Sequence, residues 1–261
     1  MKRYRALLTG ASGGIGREIA RALAPHCDDL VLVGRGGAFG EPAGVAAGPV
    51  ARTLVADLAT PAGLDAVRLA GINLLINNAG AGEFAWLEGQ SDAALTRIVE
   101  TNVLAPMQLT RRLLPELKRQ PEAWIVNVGS IMGYLGYPGH AAYCASKFAL
   151  RGFSEALRRE LADGPVRVLY LAPRATRTAM NGAAVCALNA ELGVAMDEPA
   201  AVARELLALL RGSARERLLG MPERLFARLN QLVPGLVDRA LRRQLPIIRR
   251  HAPAPTKGSS R

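Results

Sequence analysis

The chain has 261 residues, of which 50% are hydrophobic and 21% charged, a composition that supports a sizeable core in one α/β domain. Its net charge of +11 is concentrated at one end, because residues 211–261 hold 12 Lys and Arg against 3 Asp and Glu, which argues against a uniformly basic nucleic-acid-binding protein. Three cysteines and three histidines lack paired or ligand-like spacing, and no apolar run approaches bilayer-spanning length, so we expect a cytoplasmic protein without structural disulfides or metal.

A strand, a glycine-rich turn and a helix open the chain in that order. Tyr4–Thr9 is apolar and of strand length, glycines follow at positions 10, 14 and 16, and Arg17–Ala24 has helical periodicity. The apolar run continues directly into this turn, unlike a secretory leader. In this context the turn is typical of dinucleotide binding, because the helix N-terminus offers N–H groups to a pyrophosphate. A plain glycine-rich turn is the alternative.

The second predicted strand, Leu30–Gly34, ends at Arg35. The fingerprint of NAD-binding proteins has an acidic residue near this position, which binds the ribose hydroxyls. An arginine instead matches a 2′-phosphate and favours NADPH over NADH, although a surface arginine at a strand end would look the same. Residues 36–49 are rich in glycine and proline, so we expect a short or irregular connection near the adenosine end of the cofactor.

The next two predicted strands also end at polar residues. Ala51–Ala56 leads to Asp57 and Leu58, where the carboxylate would accept from an adenine amino group or else cap the following helix. Ile72–Ile76 leads into Asn77-Asn78-Ala79-Gly80, which suits a loop packed closely against a ligand.

Long helices alternate with strands in the second half of the predicted sheet. We expect helices over 92–119 and 143–162, the first broken or kinked at Pro106, and strands over 123–129 and 166–172. The whole pattern predicts a Rossmann-type, doubly wound parallel sheet of about seven strands with helices on both faces. The carboxyl ends of its strands should converge on one crevice.

The pentapeptide Tyr143-Cys144-Ala145-Ser146-Lys147 opens the second long helix, 13 residues after Ser130. Residues four apart share a helix face, so the lysine should lie beside the phenol and lower its pKa from about 10. The hydroxyl of Ser130 would hold a carbonyl oxygen. An ordinary helix with one tyrosine and one lysine is the alternative for the pentapeptide alone.

Taken together, these segments resemble the short-chain dehydrogenase/reductase family, closely from Tyr4 to about Met180 and loosely beyond. The matching motifs are TGASGGIG at 9–16, NNAG at 77–80, Asn102, Ser130, YCASK at 143–147, Pro173 and Thr178. Three residues separate the tyrosine from the lysine, as in the carbonyl-reducing branch of the family.

The resemblance implies a role for each matching residue. Tyr143 would donate a proton, Lys147 would lower the tyrosine pKa and hold the nicotinamide ribose, and Ser130 would position the carbonyl. Asn102 would anchor a water in the proton relay. The expected cofactor contacts are Gly10, Ser12, Gly13, Ile15, Arg35, Asp57, Leu58, Asn78, Tyr143, Lys147 and Thr178. The resemblance also implies a homodimer or homotetramer, with the two long helices at the dimer face.

One position departs from the family pattern. Arg174 follows Pro173 where the family has glycine, so its side chain either enters the substrate pocket or points into solvent, and we favour solvent. The single catalytic domain is expected to span residues 1–220, with a lid over 174–196. Small and aliphatic residues dominate this lid and favour an apolar ligand.

A basic amphipathic extension is expected over 221–250, interrupted at Pro234 and Pro246, with a disordered tail over 251–261. Its apolar and arginine faces suit an anionic bilayer or an acidic acyl-carrier protein, or a helix packed on the body with its arginines in solvent. Nucleic acid is not favoured, because no aromatic stacking residues accompany the arginines.

The sequence therefore predicts an NADPH-dependent carbonyl reductase or alcohol dehydrogenase. Its substrate is expected to be small and hydrophobic, with a lipid-like ketone or a 3-oxoacyl thioester carried on CoA or a carrier protein as the leading candidate. The expected location is cytoplasmic or peripheral at the inner face of the membrane. The alternative is a catalytically silent NADP(H)-binding sensor or scaffold on the same fold.

Overall fold

A computed structural model describes residues 3–36, 51–67 and 69–252 of the chain. Seven strands in these residues form one parallel sheet in the order β3-β2-β1-β4-β5-β6-β7. They are β1 (Tyr4–Thr9), β2 (Cys27–Gly34), β3 (Ala51–Val55), β4 (Leu74–Asn77), β5 (Ala123–Val128), β6 (Val166–Ala172) and β7 (Glu216–Leu218). The predicted doubly wound α/β fold is confirmed. The short edge strand β7 has no counterpart among the strands located from periodicity.

Nine α-helices in the described residues connect or follow these strands. They are α1 (Gly14–Leu23), α2 (Pro61–Asp65), α3 (Asp92–Val99), α4 (Ala105–Lys118), α5 (Ala141–Glu160), α6 (Ala183–Glu191), α7 (Pro199–Arg211), α8 (Met221–Leu232) and α9 (Pro234–His251). The predicted irregular connection after Arg35 and the predicted C-terminal tail from Pro253 onward lie outside the described residues.

The central strands β1, β4, β5 and β6 are largely apolar and buried, because helices cover both faces of the sheet there, whereas the edge strands β3 and β7 are partly exposed. Successive residues point to opposite faces, so Ala6 and Leu8 of β1 pack into a core with α1 and α7, while Leu7 packs into a second core with α4 and α5. The same alternation recurs at Leu74 and Leu75 of β4. Two separate cores therefore sandwich the sheet and fix the ends of its strands.

The long helix predicted over 92–119 is helical throughout but changes its hydrogen bonding in the middle. A π-helical turn, Glu100–Leu104, joins α3 to α4 directly before Pro106. Pro106 has no N–H and its ring crowds the carbonyl of Asn102, which favours the wider turn at this point, whereas Pro115 is accommodated inside α4. The wider turn carries Asn102, whose side chain is completely buried.

The C-terminal extension forms two helices, α8 and α9, separated at Val233. The predicted break at Pro234 is correct, since this proline begins α9. The predicted break at Pro246 is wrong, because α9 continues through it to His251. Ile248 beyond the proline is fully buried, and this packing outweighs the one hydrogen bond that a proline removes.

Candidate active site

The glycine-rich turn between β1 and α1 is shaped by close backbone contacts. Gly10 has φ +66°, and a Cβ there would lie 2.7 Å from the Ala79 Cα. A Cβ on Gly16 would lie 2.1 Å from the Gly10 carbonyl oxygen. Gly13 is the N-cap of α1 without a side-chain cap, and the first turn holds no acidic residue. The turn therefore fits the pyrophosphate of a dinucleotide, which would meet uncapped N–H groups.

The asparagine loop after β4 holds this turn in place. The Asn78 side-chain amide donates to the carbonyls of Thr9, at 3.0 Å, and Gly10, at 3.2 Å. The Thr9 hydroxyl accepts in turn from the backbone N–H groups of Asn78, at 2.9 Å, and Ala79, at 3.0 Å. Because these bonds tie the ends of β1 and β4 together, the crevice lies where the order of strands changes direction.

Asn102 is fixed from three sides. Its side chain accepts from the Ala81 N–H at 2.8 Å and donates to the Ala81 carbonyl at 2.7 Å. It also donates to the Ser146 hydroxyl at 2.9 Å. A Cβ on Gly80 would lie 3.6 Å from the Asn102 Oδ1 and 3.8 Å from the Lys147 Nζ. Asn102 and Lys147 therefore face the same short stretch of the asparagine loop.

Tyr143 is the third residue of α5, and Ser130 lies two residues after the end of β5. The hydroxyl of Ser130 lies beside the Tyr143 phenol, where it favours the ionised form, and it accepts from the Met132 N–H at 3.1 Å. The Lys147 Nζ lies 5.6 Å from the centre of the Tyr143 ring and donates to the Val128 carbonyl at 3.2 Å. The end of β5 and the start of α5 thus bring together three of the four predicted catalytic residues, namely Ser130, Tyr143 and Lys147. Asn102 lies near them across the loop at Gly80.

The expected lowering of the Tyr143 pKa is wrong for this structure. Enclosure of the phenol raises its pKa to about 12, and the neighbouring Ser130 hydroxyl opposes this only in part. Burial also lowers the pKa of Lys147 to about 8, so this ammonium is poorly solvated itself. Tyr143 consequently keeps its proton at neutral pH, which suits a proton donor.

The remaining predicted cofactor residues surround the same crevice. Arg35 is exposed at the end of β2 and forms no ion pair with another described residue. Thr178 lies beside the start of α1, where a Cβ on Gly14 would be 3.0 Å from its methyl group. Ser12 is half-buried in the glycine turn, and Ile15 packs partly on the core beneath it.

Asp57 and Leu58 lie at the end of β3. The Asp57 carboxylate accepts from the Ala59 N–H at 3.1 Å and lies 3.5 Å from the Arg97 guanidinium. The alternative role as a helix cap belongs to Thr60, whose side chain accepts from the Gly63 N–H. The Leu58 side chain is buried in the core, which leaves its backbone as the part available to a ligand.

The family model described as short chain dehydrogenase matches residues 4–187. The chain belongs to the short-chain dehydrogenase family. Members use nicotinamide cofactors, so this protein is an oxidoreductase of that kind. It is 31% identical over 258 residues to dehydrogenase/reductase SDR family member 7B of Bos taurus, covering 90% of this chain and 79% of the relative. It is 30% identical over 184 residues to the 3-oxoacyl-acyl-carrier-protein reductase of Escherichia coli, covering 68% and 75%.

Solved structures agree with this assignment. A short-chain dehydrogenase from Burkholderia cenocepacia in complex with NADP has a TM-score of 0.78 at 25% identity, covering 92% of this chain and 98% of that one. A short-chain dehydrogenase from Sphingobium yanoikuyae in complex with NADPH has a TM-score of 0.74 at 28% identity, covering 91% and 96%.

An aromatic cluster in the site of this dehydrogenase was not predicted. His140 stacks on Phe84 at 5.0 Å between ring centres and meets Tyr143 edge-on at 6.3 Å. Burial lowers the pKa of His140 to about 4, so the ring is neutral at physiological pH. Tyr137 packs on the same imidazole at 6.2 Å. The spacing of 137, 140 and 143 was the available signal, whereas Phe84 joins only through the fold.

Ser146 was also missed, although it lies inside the pentapeptide. Its hydroxyl donates to the Tyr143 carbonyl at 2.7 Å and accepts from Asn102, so it connects two predicted catalytic residues. The signal was its position three residues after the tyrosine, since one helical turn brings a hydroxyl to that carbonyl.

The prediction that Arg174 points into solvent is wrong. Its guanidinium pairs with Asp197 at 2.7 Å and with Glu223 at 3.3 Å, and its side chain is 19% exposed. One carboxylate lies two residues before α7 and the other in α8, so the arginine ties the loop after β6 to the C-terminal extension. Neither partner could be identified from sequence, because they lie 23 and 49 residues away.

Proposed function

We propose that this dehydrogenase interconverts a carbonyl and an alcohol on a hydrophobic substrate with NADPH as the electron donor. The observation that carries the proposal is the arrangement at the start of α5, where the Ser130 hydroxyl lies beside a protonated Tyr143 and the buried Lys147 lies 5.6 Å from the centre of its ring. A silent sensor or scaffold would need the glycine turn but not these three side chains together.

A bound nicotinamide cofactor would supply the hydride, and the chain supplies orientation and the proton. Tyr143 holds a proton at its phenol oxygen at neutral pH and can pass it to a substrate oxygen. The Ser130 hydroxyl, which lies beside that phenol, would hold the same substrate oxygen in line. Lys147, whose Nζ lies 5.6 Å from the centre of the Tyr143 ring, and Asn102, which is bonded to Ser146, would be the next groups in a proton route. The uncapped start of α1 and the glycine turn would hold the pyrophosphate.

The test of this assignment is Tyr143→Phe, assayed by NADPH consumption with a panel of carbonyl compounds. We expect kcat to fall at least about 100-fold, because a positioned general acid contributes that much or more. Tyr4→Phe is the matched control, since Tyr4 is buried in β1 against Trp124 and far along the strand from the crevice. Equal rates for Tyr143→Phe and the wild type would refute the role of the phenol as the acid.

We propose NADPH rather than NADH as the cofactor because the exposed Arg35 directly after β2 forms no ion pair with another described residue. Its guanidinium would therefore be available to a 2′-phosphate. Arg35→Ala should weaken NADPH binding by roughly 10- to 100-fold, the range for a charged hydrogen-bonded contact, and leave NADH nearly unchanged. Arg204→Ala, at an exposed position of α7, is the control. Equal weakening of both cofactors would contradict the preference.

The apolar substrate is supported by the residues along the lid. A cavity of about 530 Å³ runs beside α6 and is lined largely by small and aliphatic side chains, including Ala179, Val194 and Met196. Met180 of the same segment approaches Gly80 in the crevice. For a 3-oxoacyl thioester on CoA or a carrier protein, kcat/KM should rise up to about fourfold for each added methylene group of the acyl chain. No dependence on chain length would contradict a lipid-like substrate.

We also propose a homodimer or homotetramer built on the long helices. Val99, Leu104, Met107 and Phe148 on and between α3, α4 and α5 are 38–45% exposed, which supports a covered apolar face. Sedimentation of the protein as a monomer at micromolar concentration would contradict it.

The proposed location is cytoplasmic, with peripheral contact at the inner face of the membrane. None of the described helices is long and apolar enough to cross a bilayer.

A further inference from the structure

Helix α8 presents an apolar ridge to solvent. Met221, Leu225 and Leu232 follow one another at helical spacing and are 73%, 58% and 80% exposed, while Ala227 on the other side of the helix is buried. Aliphatic side chains this exposed and this regularly spaced are costly in water. The ridge is therefore expected to have an apolar partner.

Uncompensated arginines border this ridge. Arg224 and Arg228 lie along one side of it, and neither forms an ion pair within the described part of the chain. Both also line a cavity of about 830 Å³ beside α8, whose lining includes the acidic residues Asp197, Glu205 and Glu216. Across α8 and α9, residues 221–252 hold seven arginines against two acidic residues. The partner of the ridge should therefore be negatively charged where the arginines meet it.

The second helix of the extension adds to the same charge. Its buried side is formed by Val237 and Ile248, and five exposed arginines lie elsewhere on the helix, at 239, 242, 243, 249 and 250. Only Arg250 of these five has a carboxylate partner in the described residues, namely Glu191. An apolar ridge with an arginine border is the pattern of a helix that lies in the interface of an anionic bilayer.

The extension also contacts two segments near the site. The Asn230 side chain donates to the Tyr134 carbonyl at 2.9 Å, and the Tyr137 hydroxyl donates to Gln244 at 3.4 Å. Tyr134 and Tyr137 belong to the segment between Ser130 and Tyr143. On the other side, Glu191 of the lid helix α6 pairs with Arg250 and, at 2.6 Å, with His251. A surface that binds α8 would therefore lie next to the segments that flank Ser130 and Tyr143 and to the lid helix.

We propose that α8 docks this dehydrogenase on an anionic lipid surface, with Met221, Leu225 and Leu232 among the acyl chains and Arg224 and Arg228 on lipid phosphates. The proposal rests on the proposed function in one respect, because a lipid-like substrate would then enter beneath the lid from the bilayer. A protein interface of the usual kind would have central aromatic anchors and a polar rim. The ridge is aliphatic with arginines along it, and Phe226, the exposed aromatic residue of α8, lies beside the ridge and not at its centre.

The test is sedimentation of the full chain with vesicles of phosphatidylcholine, with and without phosphatidylglycerol. The wild type should bind the anionic vesicles and lose binding as salt is raised. Arg228→Gln should weaken binding about fivefold, the effect of one basic residue at a charged surface, and Leu225→Gln/Leu232→Gln should weaken it at least about tenfold. Arg204→Gln, which removes an exposed arginine of α7, should bind as the wild type does.

Thermal unfolding and sedimentation velocity should be the same for all variants, since the substituted side chains are exposed. Equal binding to neutral vesicles, or an unchanged leucine variant, would overturn the docking mode. A leucine variant that dissociates an oligomer, or a wild type that binds an acidic carrier protein and no vesicles, would also overturn it. Lost vesicle binding with carbonyl reduction intact would refute docking alone, whereas vesicle binding without any reduction would refute the proposed function alone.

Discussion

Lys147 is the one charged side chain that is buried among the described residues, with 3% exposure. No carboxylate pairs with it there, and its Nζ donates to the Val128 carbonyl at 3.2 Å. Burial lowers its pKa from 10.5 to about 8. At about 1.4 kcal/mol per pKa unit, holding this ammonium in the folded protein costs about 3 kcal/mol at neutral pH. The residue is therefore expected to oppose folding.

Lys147→Met removes the charge and keeps an unbranched apolar side chain of similar length. The variant leaves the Val128 carbonyl without this donor, which costs about 1–3 kcal/mol. The net result at pH 7 should be stabilisation by roughly 1 kcal/mol, together with loss of catalysis. A stabilised and inactive variant would show that the site holds Lys147 at the expense of stability.

The dependence on pH is the sharper test. Below pH 8 lysine is protonated in both states and the wild type carries the full cost. Between pH 8 and 10.5 the folded state is already neutral while the unfolded state still binds the proton, so wild-type stability rises by about 3 kcal/mol through this window. The variant lacks this gain and should become the less stable protein near pH 10.5.

Urea unfolding of both proteins at a series of pH values from 7 to 10.5 measures this difference. Other titrating groups occur in both proteins and largely cancel in the comparison. Lys118→Met is the matched control, since Lys118 is exposed in the last turn of α4 and its replacement should change stability by less than about 0.5 kcal/mol. A difference between wild type and Lys147→Met that does not vary with pH would refute the reasoning from burial.

Two further substitutions test the packing around the site. Gly129→Ala places a Cβ 1.9 Å from the buried Tyr170 hydroxyl and should destabilise the protein by about 1–3 kcal/mol. The Cβ of Gly152→Ala in α5 meets nothing within 4 Å, so this variant should be stabilised by up to about 1 kcal/mol. Equal unfolding midpoints for the two variants would contradict this reasoning. Arg174→Met breaks two largely buried ion pairs, whereas Arg52→Met breaks an exposed pair worth at most about 1 kcal/mol. Arg174→Met should therefore lower the free energy of unfolding more than Arg52→Met does, and urea unfolding of both variants measures the difference.

The order of elements and the positions of the chemistry could be predicted from sequence because each is a local pattern. Apolar runs of strand length, the glycines at 10, 14 and 16, and the pair Tyr143 and Lys147 all depend on residues close together in the chain. Parallel strands bring their carboxyl ends to one edge, so locating those ends was enough to bring Ser130 and Asn78 to the same crevice.

Electrostatics in the site could not be predicted in the same way. The pairing of Tyr143 with Lys147 suggested a lowered tyrosine pKa, whereas enclosure raises it. How deeply a phenol and an ammonium are buried depends on the two cores and the asparagine loop around them, and no local pattern records that depth. The direction of a pKa shift in such a site is a property of the packed structure.

The sequence by itself determined the sheet, the glycine turn and the identity of the polar residues at the strand ends, since helix and strand periods and turn residues act over a few positions. Only the tertiary structure decided where long side chains go. Arg174 meets carboxylates 23 and 49 residues away, and α9 runs through Pro246 because Ile248 beyond it is buried. These outcomes depend on contacts between segments distant in the chain, and such contacts exist only after the two cores have packed.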